Sequence, residues 1–322
     1  MKSDFLTLQQ AYVQFYSRSL EKSKFSLLNA DRKEFLIRNK YGKVTIELFF
    51  KLAKTLETAN LLECGANDAS VSIRFINEVQ GRSAVAYEAN PFVFERYRLN
   101  NENIAGLTYL QVGISDKKGY LDFHIPKVTD KSYSIFGSFQ KLSNYYSDYE
   151  TVKVKLDSLD NFHRFPNTLD KTAMWVDVEG EAFKLFSGST KVLRSGSVQL
   201  IYVEVQEGVH YGSEKNATQI SDYLLEFGFL PVARDFPLAN LYNLVFIHED
   251  RIHEVMPILN SYWLSLSAIK APILELRMPL TLLSRIKKAV FEILPGSWSK
   301  YVHRIFAMLG SKSSRSISSM DS

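Results

Sequence analysis

The sequence predicts an α/β domain: a seven-stranded, mostly parallel sheet ending in a C-terminal antiparallel hairpin, with helical additions at both ends. Three observations predict it. The stretch LLECGANDASVSIRFINEV, Leu61 to Val79, is a short apolar strand that turns through acid, Gly, Ala and Asn straight into a helix. Strand and helix patterns then alternate, which calls for parallel strands joined by right-handed crossovers. Near the end a helix stops at Gly228, and LPVARDF and NLVFIHE follow as two strands joined by a short turn, which makes an antiparallel hairpin.

Taken in order, two helical stretches come first, Leu8 to Lys22 and Val44 to Glu57. In the second, Ile46, Phe49, Phe50, Ala53 and Leu56 recur at helical spacing and should pack on the sheet or cover one edge of it. From Leu61 to Leu110 the pattern is strand, helix, strand (Ser83 to Tyr87, ending in Glu88), helix, strand (Leu107 to Val112). Between Asp116 and Thr172 the alternation lapses. Leu121, Phe123 and Ile125 alternate with Asp122 and His124 as in a strand, SYSIFGSF (Ser132 to Phe139) is polar, and VKVKL (Val152 to Leu156) reads as another strand. So long an insertion is usually functional, and it falls beside the edge of the sheet where ligands enter, so Ser132 and Ser134 become candidates for substrate contact. The parallel pattern resumes with AMWVDV, a helix from Ala182 to Leu193, VQLIYVEV, and a helix from Ala217 to Glu226.

The turn after the first strand puts backbone N–H groups, a helix N-terminus and the carboxylate of Glu63 around one small space, which suits a nucleotide-like cofactor. An acid at the tip of the second strand, Glu88, can accept two hydrogen bonds from ribose hydroxyls, a device shared by folds that bind NAD and folds that bind S-adenosylmethionine (SAM). The loop separates the two. GxGxxG is absent, and what stands instead is Glu63-x-Gly65-x-Asn67-x-Ala69, close to the acid-x-Gly-x-Gly-x-Gly loop of SAM enzymes. The closing hairpin also argues against a six-stranded dinucleotide fold.

Further along stands DVEG, Asp177 to Gly180, at the end of MWVDV and before a helix. With ECGAN, YEANP, VKVKLDSLDNF (Val152 to Phe162) and IYVEVQE (Ile201 to Glu207) in that order, the chain from Asn60 to Asp250 resembles the FkbM-type family of SAM-dependent methyltransferases. The family's usual motifs are D-x-G-A-N, an E-P/A-N-P element and V-x-x-x-LD-x-L. The chain departs from the family at Glu63 for the commoner Asp, at Ala69 for a Gly, at Glu181-Ala182, which inverts Ala-Glu, and at Met174-Trp175, where a lysine is common. The resemblance implies a seven-stranded, Rossmann-like class I methyltransferase sheet, SAM as cofactor, and methyl transfer to a hydroxyl of a sugar or glycoconjugate.

Methyl transfer to oxygen needs an aligned nucleophile and a group to remove its proton. Gly65 and Glu63 are expected at the amino-acid end of the cofactor, Glu88 at the ribose, and Ser115 and Asp116 near the adenine, with Ala66, Asn67 and Ala89 completing the two cofactor loops. Asp177 and Glu179, at the end of the fourth strand, lie opposite the transferable methyl in this fold. Two neighbouring carboxylates push one pKa upward, so Asp177 is expected to act as base and Glu179 to hold substrate hydroxyls. A helix-capping role for Glu179 fits the spacing as well. Glu204, at the end of the fifth strand, and His210, in the loop beyond, are expected to face the acceptor. Asp177, Glu204 and His210 would share an edge, but His124, His163, His248 and His253 show no metal-ligand spacing and no metal is expected. The competing readings are an NAD-linked oxidoreductase and a non-catalytic interaction module on the same fold.

With one cysteine, Cys64, neither an intrachain disulfide nor a thiolate cluster can form, which fits a reducing, cytoplasmic setting. The net charge of +4 is unevenly placed: from Ala271 to Ser322 eight lysines and arginines face three acids, leaving the rest of the chain slightly negative. A nucleic-acid partner is therefore not expected. The organisation expected is a helical region at 1–58, the methyltransferase domain at 59–252, and basic amphipathic helices with a low-complexity tail at 253–322. In that tail Leu280 to Leu294 and Trp298 to Leu309 each carry an apolar face. Such faces suit the inner surface of an anionic membrane as a peripheral attachment, or packing on the chain's own domain or on a second copy.

Overall fold

The computed structural model describes residues 32–79, 83–127, 137–141, 148–161, 171–206, 215–235 and 241–268, with the backbone alone for 32–41 and 263–268. The chain divides into two compact units, Met1–Pro272 and Ile273–Ser322, and the described residues all belong to the first. The stretch Leu8 to Lys22, the two C-terminal amphipathic stretches, Ser132, Ser134 and His210 lie outside the described residues.

The main sheet has seven strands: β1 (Asn60–Cys64), β2 (Ser83–Glu88), β3 (Leu107–Gln111), β7 (Thr172–Val176), β8 (Val198–Gln206), β9 (Phe229–Arg234) and β10 (Leu241–His248). Their order is β3-β2-β1-β7-β8-β10-β9. The pairs β1–β2, β2–β3, β1–β7 and β7–β8 are parallel, and β10 is antiparallel to both β8 and β9. The chain thus starts at the centre, winds outward to β3, and returns to build the other half. That reversal leaves a crevice at the carboxyl ends of β1 and β7, the place where open α/β sheets bind ligands.

The period of two along each strand feeds two apolar layers. Leu62, Cys64, Met174, Val176, Ile201 and Val203 face one side, against α4 (Ala182–Ser187), α5 (Thr190–Arg194) and α6 (Ala217–Leu225). On the other side Leu61, Ala84, Ala173, Trp175, Leu200 and Tyr202 meet Leu48, Phe49 and Leu52 of α1 (Arg32–Thr55) with Leu56 just after it, Phe75 of α2 (Ser70–Glu78), and Val255 and Leu259 of α7 (Ile252–Ala268). The helical spacing read from Ile46 onward thus belongs to α1, which ends at Thr55, just before Leu56, and packs on the face of the sheet. Trp175 and Tyr202 stack on adjacent strands with ring centroids 3.7 Å apart, and Phe49 of α1 meets both edge-on.

Two features differ from the sequence reading. The helix expected from Ala182 to Leu193 is two short helices, α4 and α5. A Cβ at Gly188, in the turn between them, would come within 2.1 Å of the Ser115 carbonyl oxygen, so this turn packs closely against the Ser115 backbone. Asp160 then caps the second piece, its carboxylate accepting from Lys191 and Val192 N–H at 2.9 and 3.1 Å. The segment read as an insertion also has a fold of its own. β4 (Gly113–Ile114), β5 (Gly119–Pro126) and β6 (Tyr149–Asp157) form a second sheet in the order β4-β6-β5. Ser138 bridges to His124 on its β5 edge. The remaining helix, α3 (Pro91–Asn101), opens with Asn90 as N-cap, its side chain accepting from Phe92 N–H at 3.0 Å and Pro91 occupying the first turn.

Candidate active site

The site is made where β1 and β7 end side by side. Asp177 N–H donates to the Cys64 carbonyl at 2.9 Å. Gly65, next in the chain, has φ 79°, and a Cβ on it would fall 1.7 Å from the Asp177 carbonyl oxygen. Here the glycine serves the contact between two loops. Beyond it Asn67 and Ala69 hold left-handed backbone, φ 48° and 60°, before α2 begins.

Glu88, at the tip of β2, is buried and clamps the loops on both sides. Its Oε2 accepts from Asn67 N–H and its Oε1 from Asn90 N–H, each at 2.7 Å. Burial pushes its carboxyl up to about 7, although the two N–H donors pull the other way.

At the β7 tip, Glu179 has φ 45° and Gly180 φ 94°, so the acid reverses the chain in a left-handed turn. It does not cap a helix, because α4 starts only at Ala182. Glu179's carbonyl accepts from the Ser138 hydroxyl at 3.0 Å, and the same hydroxyl oxygen accepts from Gln140 N–H at 3.2 Å. These two bonds tie residues 138–140 to the DVEG turn. Glu181, buried just beyond, holds Lys184 Nζ at 2.8 Å and Gln140 Nε2 at 3.4 Å.

Asp177, Glu179 and Glu204 each place one carboxylate oxygen within 4.8 Å of the others. Three hard oxygen ligands at that spacing are the donor type of Mg²⁺ or Ca²⁺, whereas without such an ion the charge is relieved by a shared proton. Burial raises Asp177 to about 6, with a hydrogen bond to Glu204 opposing it. Burial and the negative charge of Asp177 raise Glu204 well above the ordinary carboxylate range. The interaction between the two carboxyls favours the proton on Glu204 and the charge on Asp177.

A cavity opens between these loops and the small sheet. It is lined by Gly65, Asn67, Glu88 and Ala89 on the β1–β2 side, and by Asp177, Glu179 and Glu181 on the β7 side. Val112, Ile114 and Phe123 add apolar wall, and Gly137 and Phe139 close the rim. Six residues singled out from the sequence thus meet there: Gly65, Asn67, Glu88, Ala89, Asp177 and Glu179.

Five others do not line the cavity. Glu63 lies under the start of α2, accepting from Ser72 N–H at 2.9 Å, and burial pushes it up to about 8, so it props the loop from behind. Ala66 is buried against Ala69, Ala86 and Tyr109. Ser115 is buried and donates its N–H to the Asp157 carbonyl, its hydroxyl to Asp116, which is itself exposed. Gly113 and Ile114, the two residues just before them, line the cavity instead. Glu204 is not part of the lining, and its carboxylate lies within 4.8 Å of those of Asp177 and Glu179.

Asn90, Ser138 and Phe139 were not singled out from the sequence, and Glu181 was noted there only as a departure from the family's motif. Asn90 had a signal in the N-P pair that opens α3, whereas the others depend on segments brought together by folding.

The sequence from residue 63 to 231 matches the family described as "Methyltransferase FkbM domain". The protein "2-O-methyltransferase NoeI" of Sinorhizobium fredii (strain NBRC 101917 / NGR234) is 26% identical over 176 residues, covering 52% of this chain and 71% of that protein. Among solved structures, the N-methyltransferase NodS from Bradyrhizobium japonicum WM9 is 8% identical over 65% of this chain and 97% of its own, with a TM-score of 0.37. Magnesium protoporphyrin IX methyltransferase (ChlM) from Synechocystis PCC 6803 with bound SAM is 10% identical over 77% of this chain and 98% of its own, with a TM-score of 0.36.

Proposed function

Because the chain belongs to the FkbM methyltransferase family, we propose that it moves a methyl group from SAM to a hydroxyl of a sugar or glycoconjugate. The observation that carries this reading is one cavity with a ribose-type acid, Glu88, on one wall and the carboxylates of Asp177 and Glu179 on the other. The relative's name, a 2-O-methyltransferase, supports oxygen as the acceptor atom.

The residues present fit the cofactor. Gly65, Asn67, Glu88 and Ala89 would hold it, and each Glu88 oxygen keeps a second lone pair for a ribose hydroxyl beyond the N–H it already accepts. The buried amide oxygen of Asn67 has no hydrogen-bond partner among the described residues, which leaves an acceptor for a donor-bearing ligand such as the cofactor's ammonium. Once bound, SAM supplies a methyl carbon already activated by its sulfonium.

The remaining work belongs to the chain. Asp177, ionised above about pH 6, accepts the acceptor hydroxyl's proton on its carboxylate. Glu204 keeps its own proton and so leaves the negative charge on Asp177. Glu179 and Glu181 offer oxygens to neighbouring hydroxyls, and Phe123 and Phe139, edge-to-face at 4.9 Å, shield the rim from water.

Calorimetry with SAM, its demethylated product S-adenosylhomocysteine and NAD tests the cofactor. The first two should bind and NAD should not. Mass spectrometry of glycans from cells with and without the protein tests the acceptor, a gain of 14 mass units on one sugar being expected. Binding of NAD alone would overturn the reading.

A further inference from the structure

The β1–α2 loop is left-handed at two non-glycine residues, Asn67 and Ala69, a conformation that L side chains resist. Side chains from α3 and β3 hold it there. The Tyr109 hydroxyl donates to the Asn67 carbonyl, and Asn101 Nδ2 donates to the Asp68 carbonyl at 3.2 Å. Both donors are well placed to stay put: Asn101, the last residue of α3, is 2% exposed, and Tyr109 on β3 is 8% exposed with its ring stacked on Phe94 at 4.8 Å. With Glu88 taking the Asn67 N–H, both backbone polar groups of Asn67 are bound to side chains from outside the loop.

We propose that Tyr109 and Asn101 are positioning residues, a clamp on the Asn67 and Asp68 carbonyls that holds the loop in its cofactor-binding shape. The proposal rests on the reading of this loop as the SAM loop. Neither side chain lines the cavity, so neither is a catalytic residue. Their effect is preorganisation: without them the loop relaxes in the free protein, and the cofactor must restore the left-handed conformation on binding. The loss therefore falls on cofactor affinity and leaves the methyl-transfer step unchanged.

Tyr109→Phe removes one hydroxyl and keeps the ring stack, and Asn101→Ala tests the second carbonyl. For each, calorimetry should show S-adenosylhomocysteine bound about three- to tenfold more weakly, the range for one lost hydrogen bond. Turnover at saturating SAM should stay within about twofold of wild type, since removing a binding contribution common to ground and transition states leaves kcat unchanged. In the ligand-free protein, amide hydrogen exchange should quicken at 66–70 while the core strands stay protected. Unchanged affinity in both variants, or a fall in kcat at saturating SAM, would overturn the clamp. If wild-type protein binds no S-adenosylhomocysteine, the SAM reading fails on its own, and unchanged exchange at 66–70 in the variants would still dismiss the clamp.

Discussion

At Gly65 one added methyl group would collide with the Asp177 carbonyl and also face an unfavourable positive φ. Gly65→Ala should therefore lower stability by about 2–4 kcal/mol, read as a shift of the urea midpoint with an unchanged slope. A shift under ~1 kcal/mol would mean that the β1 and β7 loops part easily. Asp177→Asn keeps the shape of the side chain but cannot accept a proton, so SAM affinity should persist while turnover falls about 100-fold or more. The wild-type rate should rise with pH through about 6, because Asp177 works ionised, and the amide variant should lack that limb. Turnover should survive chelation by EDTA. Loss with EDTA and recovery with Mg²⁺ would make Asp177, Glu179 and Glu204 ligands of an ion rather than a proton-sharing group. At this scale the sequence located the carboxylates but not their directions. Glu63 is the penultimate residue of β1 and Glu88 the last of β2, yet Glu63 is roofed by α2 and donated to by Ser72, whereas Glu88 opens on the cavity. That difference depends on which helix covers which strand end, and spacing along the chain does not carry it.

The elements that shape the site are two loops and a small sheet, and they were unequally legible. Alternating apolar residues revealed β5 and β6, because the period of two survives on a half-exposed sheet. Nothing local showed that this sheet would bring Ser138 to Glu179, 41 residues away. The break between α4 and α5 had a local signal in Ser187-Gly188-Ser189, but its packing against the Ser115 carbonyl, which arrives from a distant loop, had none. Ser138 gives this level its test. Its hydroxyl joins residues 138–140 to the DVEG turn, so Ser138→Ala should loosen the acceptor side and leave the β1–β2 side intact. Acceptor KM should rise about three- to tenfold, matching one lost hydrogen bond, with SAM affinity unchanged in calorimetry. An equal loss of SAM affinity would mean that the rim and the cofactor wall move as one piece.

For the molecule as a whole, the seven-stranded, mostly parallel sheet and its antiparallel close followed from the alternation of elements and the final hairpin, because crossover handedness and short connections leave few topologies open. What the alternation could not show is how many acids the fold buries around one edge. Glu63 is raised to about 8, Glu88 to about 7, and Asp177 and Asp235 to about 6, burial being the leading cause in each. An acid whose pKa is higher folded than unfolded binds more protons in the folded state between the two values, so its contribution to stability declines as pH rises. The contribution is complete below about pH 4, where both states are protonated, and is withdrawn progressively from there until the folded-state groups have ionised at about pH 6 to 8. The ligand-free protein should therefore melt at a lower temperature at pH 8 than at pH 5.5. Glu88 and Asp177 line the proposed cofactor cavity, and SAM brings an ammonium and a sulfonium, so ionised carboxylates attract it more than neutral ones. SAM should then raise the melting temperature more at pH 8 than at pH 5.5, narrowing the gap between them. Thermal scans at the two pH values, with and without SAM, decide the matter. A ligand-free Tm that climbs from pH 5.5 to 8 would show that these carboxylates are solvated in solution and that the edge of the sheet is more open than its hydrogen bonds imply.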